Sequence, residues 1–368
     1  MLRKTLITLG ASLMVVVLLS GLLVGCSSEP TTTTATVTAT KTATTTATTT
    51  TVIKPIILKG DMIVSSAKHE TAYQMLLAMD LIEERSGGRV VFDVNYGQVL
   101  VPLREAMTTV GKGALDWAWC GPSSFSGLDP RFNIAALPMA FTDQVQGFEA
   151  LKTTPLADLL EQAANRQGVT LLGWNGHAPY VTMTTGKPVK VLADFEGQKI
   201  RAPGTALQSA LQRLGAVPMN VMSAEIYPSM EKGIIDGAWL GLYTIESYKL
   251  VELIKYVTRG PFLVCNAQAI QINLEKFNTI PADLQKLMRD AFVEVEDEGY
   301  AYVMEENLRF EKMAADAGIE IYDPPKEELL KWVEIAGKPI WQDLRDEIGG
   351  ADGDLFYNTL MDFQGLAR

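Results

Sequence analysis

The chain has 368 residues, 47% of them hydrophobic and 20% charged, with a formal net charge of −11. That length holds two domains, the balance is that of a globular protein, and an acidic surface argues against nucleic acid or anionic lipid as a partner. Two histidines and three cysteines leave no metal-ligand cluster with closed spacing.

Arg3 and Lys4 open the chain, residues 6–24 are almost wholly apolar, and Leu23-Val24-Gly25-Cys26 closes the run. This pattern predicts a secretory signal over residues 1–25 ending in a bacterial lipobox. Cys26 then becomes the first mature residue, and its diacylated thiol ties the protein to the outer face of a membrane. The alternative is a transmembrane anchor, since the run is long enough to span. Losing Arg3 and Lys4 with no acid takes the charge from −11 to −13. Residues 26–52 are nearly all Thr, Ala and Ser. They have nothing to bury and predict a disordered tether, which leaves the body near the membrane but outside it.

The body begins with a predicted strand over 54–64 and a turn at Ser65-Ser66. Tyr73, Leu76, Leu77 and Leu81 recur at helical spacing until Gly87-Gly88. A strand follows over 90–94, then a helix over 100–110 closed by Gly113, then a short strand over 115–119 running into Gly121-Pro122-Ser123-Ser124. This β-α-β-α-β order predicts a mostly parallel sheet with helices on both faces. Ligands of such sheets sit at the carboxyl ends of strands, so Ser65, Ser66, Trp119 and Ser123 are cleft candidates. A second unit starts near Tyr180, with strands over 199–202 and 217–221 around an apolar stripe at Leu207, Ala210, Leu211 and Leu214. Ser223 is placed to cap a helix that stops at Gly233. The steps Gly113-Ala114-Leu115-Asp116 and Gly233-Ile234-Ile235-Asp236 share one shape, a weak internal repeat. From Pro281 a helical pattern runs with few breaks to Ala317, long enough to lie across two domains, and residues 327–368 read as further helices.

Arg201 lies on the strand just before Pro203-Gly204. A guanidinium there can reach into a cleft and grip a carboxylate with two parallel N–H bonds. The plainer reading is a surface arginine in an ion pair.

At this point the residues resemble a known family, the DctP-type solute-binding proteins of TRAP transporters, over about residues 54–317. The resemblance rests on Glu83-Glu84-Arg85-Ser86-Gly87-Gly88-Arg89, on Gly113 to Asp116, and on Leu137-Pro138-Met139-Ala140-Phe141. Its densest part runs from Lys187-Pro188 through Arg201 to Asp236-Gly237, with Leu214-Gly215-Ala216-Val217-Pro218 and Glu225-Ile226-Tyr227. The resemblance implies an α/β, two-lobed periplasmic-binding-protein-like fold with hinge strands and a long bracing helix. Lobe I would take 53–179 and 266–307, and lobe II 180–265 and 308–368 with the C-terminal helices. It also implies an organic acid held between the lobes, its carboxylate on Arg201, and delivery to the TRAP membrane permease subunits. A ligand-sensing receptor feeding a signalling protein is the alternative.

The chain departs from that pattern where many relatives carry Gln-Glu-Asn, and here Ala238-Trp239-Leu240 follows the Asp-Gly. Relatives that bind through a metal ion supply an amide and a carboxylate at places that match Tyr180 and Trp239, and neither suits a hard cation. No metal or other cofactor is therefore expected. Trp119, Tyr180 and Trp239 would stack on an apolar part of the ligand, with Ser65, Ser123, Gly204 and Leu240 completing the site. No nucleophile elbow and no phosphate loop is present, and His69 and His177 read as structural, so no enzyme is expected. Cys120 and Cys265 could pair in an oxidising compartment, but two thiols in apolar sites are the simpler reading.

Overall fold

The computed structural model describes residues 54–141, 144–262 and 265–364. The predicted signal, Cys26 and the tether lie outside the described residues. Eleven strands form two sheets among the described residues: β1 (Ile56–Met62), β2 (Val90–Tyr96), β3 (Trp117–Cys120), β4 (Val169–Gly176), β5 (Tyr180–Thr184), β6 (Lys199–Arg201), β7 (Val217–Met219), β8 (Gly237–Gly241), β9 (Tyr256–Thr258), β10 (Ala267–Asn273) and β11 (Glu320–Tyr322). The first sheet has the order β2-β1-β3-β10-β4 and the second β11-β9-β5-β8-β6-β7. Each is the centre of one lobe.

The first sheet shows why its sequence folds this way. β3 is the apolar run Trp-Ala-Trp-Cys with all four residues buried, as a strand covered on both faces requires. It pairs parallel to β1, which pairs parallel to β2 in continuous register from Ile56↔Val90 to Met62↔Tyr96. Trp117 lies flat against Gly60, where a Cβ would stand 2.1 Å from the indole. Its Nε1 donates to the Leu58 carbonyl at 2.9 Å. The helix Glu70–Ser86 begins at His69, whose side chain accepts from the Thr71 amide, and stops at Gly87 with φ 63°, the left-handed C-cap that glycine favours.

The chain crosses between sheets three times, twice through short segments and once through the helix Glu296–Asp316 between β10 and β11. Residues 177–179 join β4 to β5, and 259–266 join β9 to β10. Because β10 is antiparallel to β3 and to β4, both short crossings leave the first sheet at the edge where β1, β3 and β4 have their carboxyl ends. They enter the second where β6 and β8 have theirs, since β5 is antiparallel to β8 and β8 parallel to β6.

Two expectations change. The helical run expected from Pro281 to Ala317 is two helices, Ala282–Glu294 and Glu296–Asp316, meeting at Val295 with ψ 0°. The second braces both lobes: it packs on Glu70–Ser86 and β4, and also on Thr244–Ser247 and β11. The C-terminal helices, expected with lobe II, fasten to both sheets' layers. Lys338–Ile348 packs on Gly204–Arg213, while Gly350–Gln364 packs on Leu156–Arg166. Phe356, Leu360 and Met361 share one core cluster with Leu156, Leu159 and Leu160, so the tail's apolar stripe finds its cover on the first lobe. Cys120 and Cys265 are separate, buried thiols.

Candidate functional site

Arg201 is the last residue of β6, and local bonds fix that short strand. The Lys199 amide donates to Asp236 Oδ2 at 2.8 Å, and the Asp236 amide returns a bond to the Lys199 carbonyl. Ile200 turns into the core, so Arg201 turns to the other face at the carboxyl edge. There it is 8% exposed, and its Nε donates to the Val221 carbonyl at 3.1 Å. No carboxylate lies within ion-pair distance of it among the described residues. Burial pushes the guanidinium below its ordinary value, opposed by the neighbouring phenols of Tyr180, Tyr248 and Tyr243. Burial in turn raises the Tyr180 and Tyr243 hydroxyls, so both remain hydrogen-bond donors.

The first lobe brings a different chemistry to its own carboxyl edge. Glu70 opens the helix after β1, and His177 follows the last residue of β4. Glu70 is 7% exposed, with Oε2 3.2 Å from His69 Nδ1 and Oε1 3.5 Å from His177 Nδ1. Oε1 and that His177 nitrogen are both buried without a hydrogen-bond partner. Burial alone would raise the Glu70 carboxyl, but the contact with His177 and the two imidazoles hold it below its ordinary value. Tyr243, just past β8 of the second lobe, stacks on His177 with centroids 5.3 Å apart and stands edge-on to His69 at 5.4 Å. This ring is a direct lobe-to-lobe contact beside the 177–179 crossing. Tyr243 also feels both charges, Glu70 raising its hydroxyl and Arg201 opposing.

Of the expected aromatic walls, Tyr180 is a buried core residue whose phenol neighbours Arg201, and the two tryptophans lie elsewhere. Trp119 and Trp239 have no exposed surface. Trp119 donates to Asn175 Oδ1 at 3.1 Å and packs in the core with Trp117 and Ile270. Trp239 donates to Thr182 Oγ1 at 2.7 Å, stacks on Phe262 at 4.6 Å and meets Phe195 edge-on. Leu240 points to the opposite face of β8, among Val181 and Ile245. These three are core residues: apolar layers cover both faces of β8, which carries Trp239 and Leu240, and of β3, which carries Trp119. Ser65 and Gly204 are exposed and Ser123 is half-buried. No hydrogen bond joins any of them to Arg201 among the described residues. Sequence reasoning passed over Glu70, Tyr243 and Tyr248 and took His177 as structural. The strand-end rule that selected Ser65 applies equally to Glu70 and His177. A separate cavity of about 240 Å³ has Gln74, Lys152, Trp174, Glu296, Gly299 and Val303 in its lining and lies apart from Arg201.

Two α/β lobes with facing carboxyl edges, two short crossings and a bracing helix define a bilobal solute-binding protein. The chain belongs to the bacterial extracellular solute-binding proteins, family 7 (DctP), whose sequence model matches residues 63–347. A relative described as a solute-binding protein of Albidiferax ferrireducens is 27% identical over 267 residues, covering 71% of this chain and 78% of that protein. The fold matches a TRAP periplasmic solute-binding protein of Ochrobactrum anthropi, whose C-terminus is bound in its ligand-binding pocket. The TM-score is 0.78 at 21% identity, over 85% of this chain and 97% of that one. It also matches a TRAP periplasmic solute-binding protein of Desulfovibrio salexigens with bound orotic acid, at TM-score 0.74 and 18% identity, over 84% and 99% of the two chains. The family consists of extracytoplasmic substrate-binding proteins of transporters, not enzymes. No helix among the described residues is long and apolar enough to cross a membrane.

Proposed function

We propose that this chain is the lipid-anchored receptor of a TRAP-type transporter, and that it captures an organic acid by pairing its carboxylate with Arg201 and delivers it to the membrane permease. The observation that carries the reading is a buried guanidinium whose acceptor is a backbone carbonyl, with no carboxylate at hand. A buried charge without a counter-ion is destabilising. A ligand carboxylate supplies the missing partner through hydrogen bonds of about 1.5–3 kcal/mol each. The acid seen in the orotate-bound relative fits that chemistry.

Binding and closure are linked. The two crossings at 177–179 and 259–266 are the segments about which the lobes would hinge. A ligand that touches both carboxyl edges binds the closed arrangement better than the open one, and that difference drives closure. Lipid attachment at Cys26 keeps the receptor beside its permease, and the Leu23-Val24-Gly25-Cys26 sequence supports it.

Calorimetry after a thermal-shift screen of organic acids tests the first half, since a ligand raises stability by mass action. Arg201→Ala should abolish measurable binding, and Arg201→Lys should weaken it, because a point charge cannot form the fork. Equal affinity in wild type and Arg201→Ala would sink the carboxylate reading. For the anchor, Cys26→Ser should move the protein from the membrane fraction to the soluble one, and unchanged membrane association would remove lipidation at Cys26.

A further inference from the structure

Arg201 accounts for one end of a ligand, and the groups across the crossing specify the other. Glu70 and His177 come from the first lobe, Tyr243 and Arg201 from the second, and the Tyr243–His177 stack brings the two sets together. Glu70 Oε2 lies 3.2 Å from His69 Nδ1, while Oε1 is buried without a hydrogen bond and faces, at 3.5 Å, a His177 Nδ1 that also has none. Buried acceptors of this kind are rarely left unsatisfied. A second carboxylate on the ligand would meet like charge here, and an apolar tail would leave the Glu70 oxygen without a partner.

We propose that the ligand is a zwitterionic acid, with its carboxylate on Arg201 and a protonated amine donating to Glu70. The proposal rests on the Arg201 reading for one end only. Its own observation is the unpartnered Glu70 oxygen at the opposite edge. The carboxyl's depressed titration agrees, because it keeps Glu70 anionic at neutral pH and complementary to an ammonium. Tyr243, whose hydroxyl burial keeps protonated, feels the charges of both Glu70 and Arg201.

The test uses matched pairs: glycine against acetate, β-alanine against propionate, and γ-aminobutyrate against butyrate, with malonate and succinate as the two-acid arms. Thermal shift and calorimetry are run on wild type, Glu70→Gln and Arg201→Ala. In at least one pair the aminated acid should bind wild type at least about tenfold more tightly, the size of one charge-assisted hydrogen bond. Glu70→Gln should erase that preference and improve binding of the two-acid probes. An equal response to both members of every pair, the absence of any response included, overturns the proposal. So does a two-acid probe that outbinds every aminated one in wild type. If the preference vanishes in Glu70→Gln while Arg201→Ala leaves affinity unchanged, the amine site stands and the Arg201 reading falls, so the two fail separately. Should Glu70→Gln not fold, the wild-type pairs decide alone.

Discussion

Arg131 and Arg201 are both buried, at 2% and 8% exposure, and they are held in opposite ways. Arg131 grips Asp129 with Nε and Nη2 and reaches Asp352 with Nη1 at 3.1 Å. It thereby ties the turn at Pro130–Ala136 to the C-terminal helix Gly350–Gln364. Its hydrogen bonds to Asp129 raise its titration despite burial. Arg201 has one carbonyl, and burial lowers it. The residue type is the same and both side chains are buried, and what separates them is a carboxylate partner in one case and a backbone carbonyl in the other.

Exchanging the readouts is the strongest way to break that contrast. Arg201→Ala removes two or more charge-assisted bonds of about 1.5–3 kcal/mol each, so affinity for the acid should fall by roughly two to four orders of magnitude. Stability of the unliganded protein should hold or rise, because an unpaired buried charge is gone. Arg131→Met should do the reverse. It strands Asp129 and should lower unfolding free energy by about 3–5 kcal/mol, toward the lower end because Arg166 stays 3.7 Å from that carboxylate. Ligand affinity of the folded protein should not change. Urea titration and calorimetry on both variants check this, and a binding defect in folded Arg131→Met would collapse the distinction.

The pH dependence of stability sharpens the same contrast with a smaller effect. Asp129 is held below its ordinary value of 3.8, first by its hydrogen bonds to Arg131. Its folded-state pKa is lower than the unfolded one, so the unfolded chain binds more protons in acid. The stabilisation is fully present above the unfolded value and is lost as pH falls through the folded one. Urea midpoints measured down that acid limb should fall less steeply in Asp129→Asn than in wild type. Identical limbs would show that the Arg131 pair contributes nothing that titrates.

The short strand that ends in Arg201 was legible because its signal is local, an apolar residue between cations just before a Pro-Gly turn. The end of the helix Glu70–Ser86 at Gly87 and the buried strand β3 were legible for the same reason. The tryptophans were not. Trp239 and Leu240 are neighbours on β8, and each faces a core layer built from distant residues, Phe262 and Phe195 for one and Ile245 for the other. A strand-end position tells that a side chain is near an edge, but not that another helix already covers it. Glu70, His177 and Tyr243 meet from segments more than sixty residues apart, and no spacing in the chain marks that encounter. The break at Val295 likewise has no proline or glycine to announce it, and it follows from the second helix turning to brace both lobes.

The smallest effect completes the series with a cation that is exposed and paired. Lys312 meets Asp316 one turn on at 2.7 Å, with the two side chains 75% and 66% exposed. Water already solvates both groups, so pairing replaces little and immobilises two flexible chains. Such i,i+4 pairs contribute about 0.3–0.5 kcal/mol, here with the lysine on the N-terminal side, the less favourable order. Lys312→Gln should therefore shift the urea midpoint barely beyond error at low salt and not at all at high salt, where screening removes the attraction. A loss comparable to that of Arg131→Met would mean that pairing itself sets the energetic scale. A null result leaves burial as the variable that makes a partner necessary, which is the condition Arg201 meets without having one.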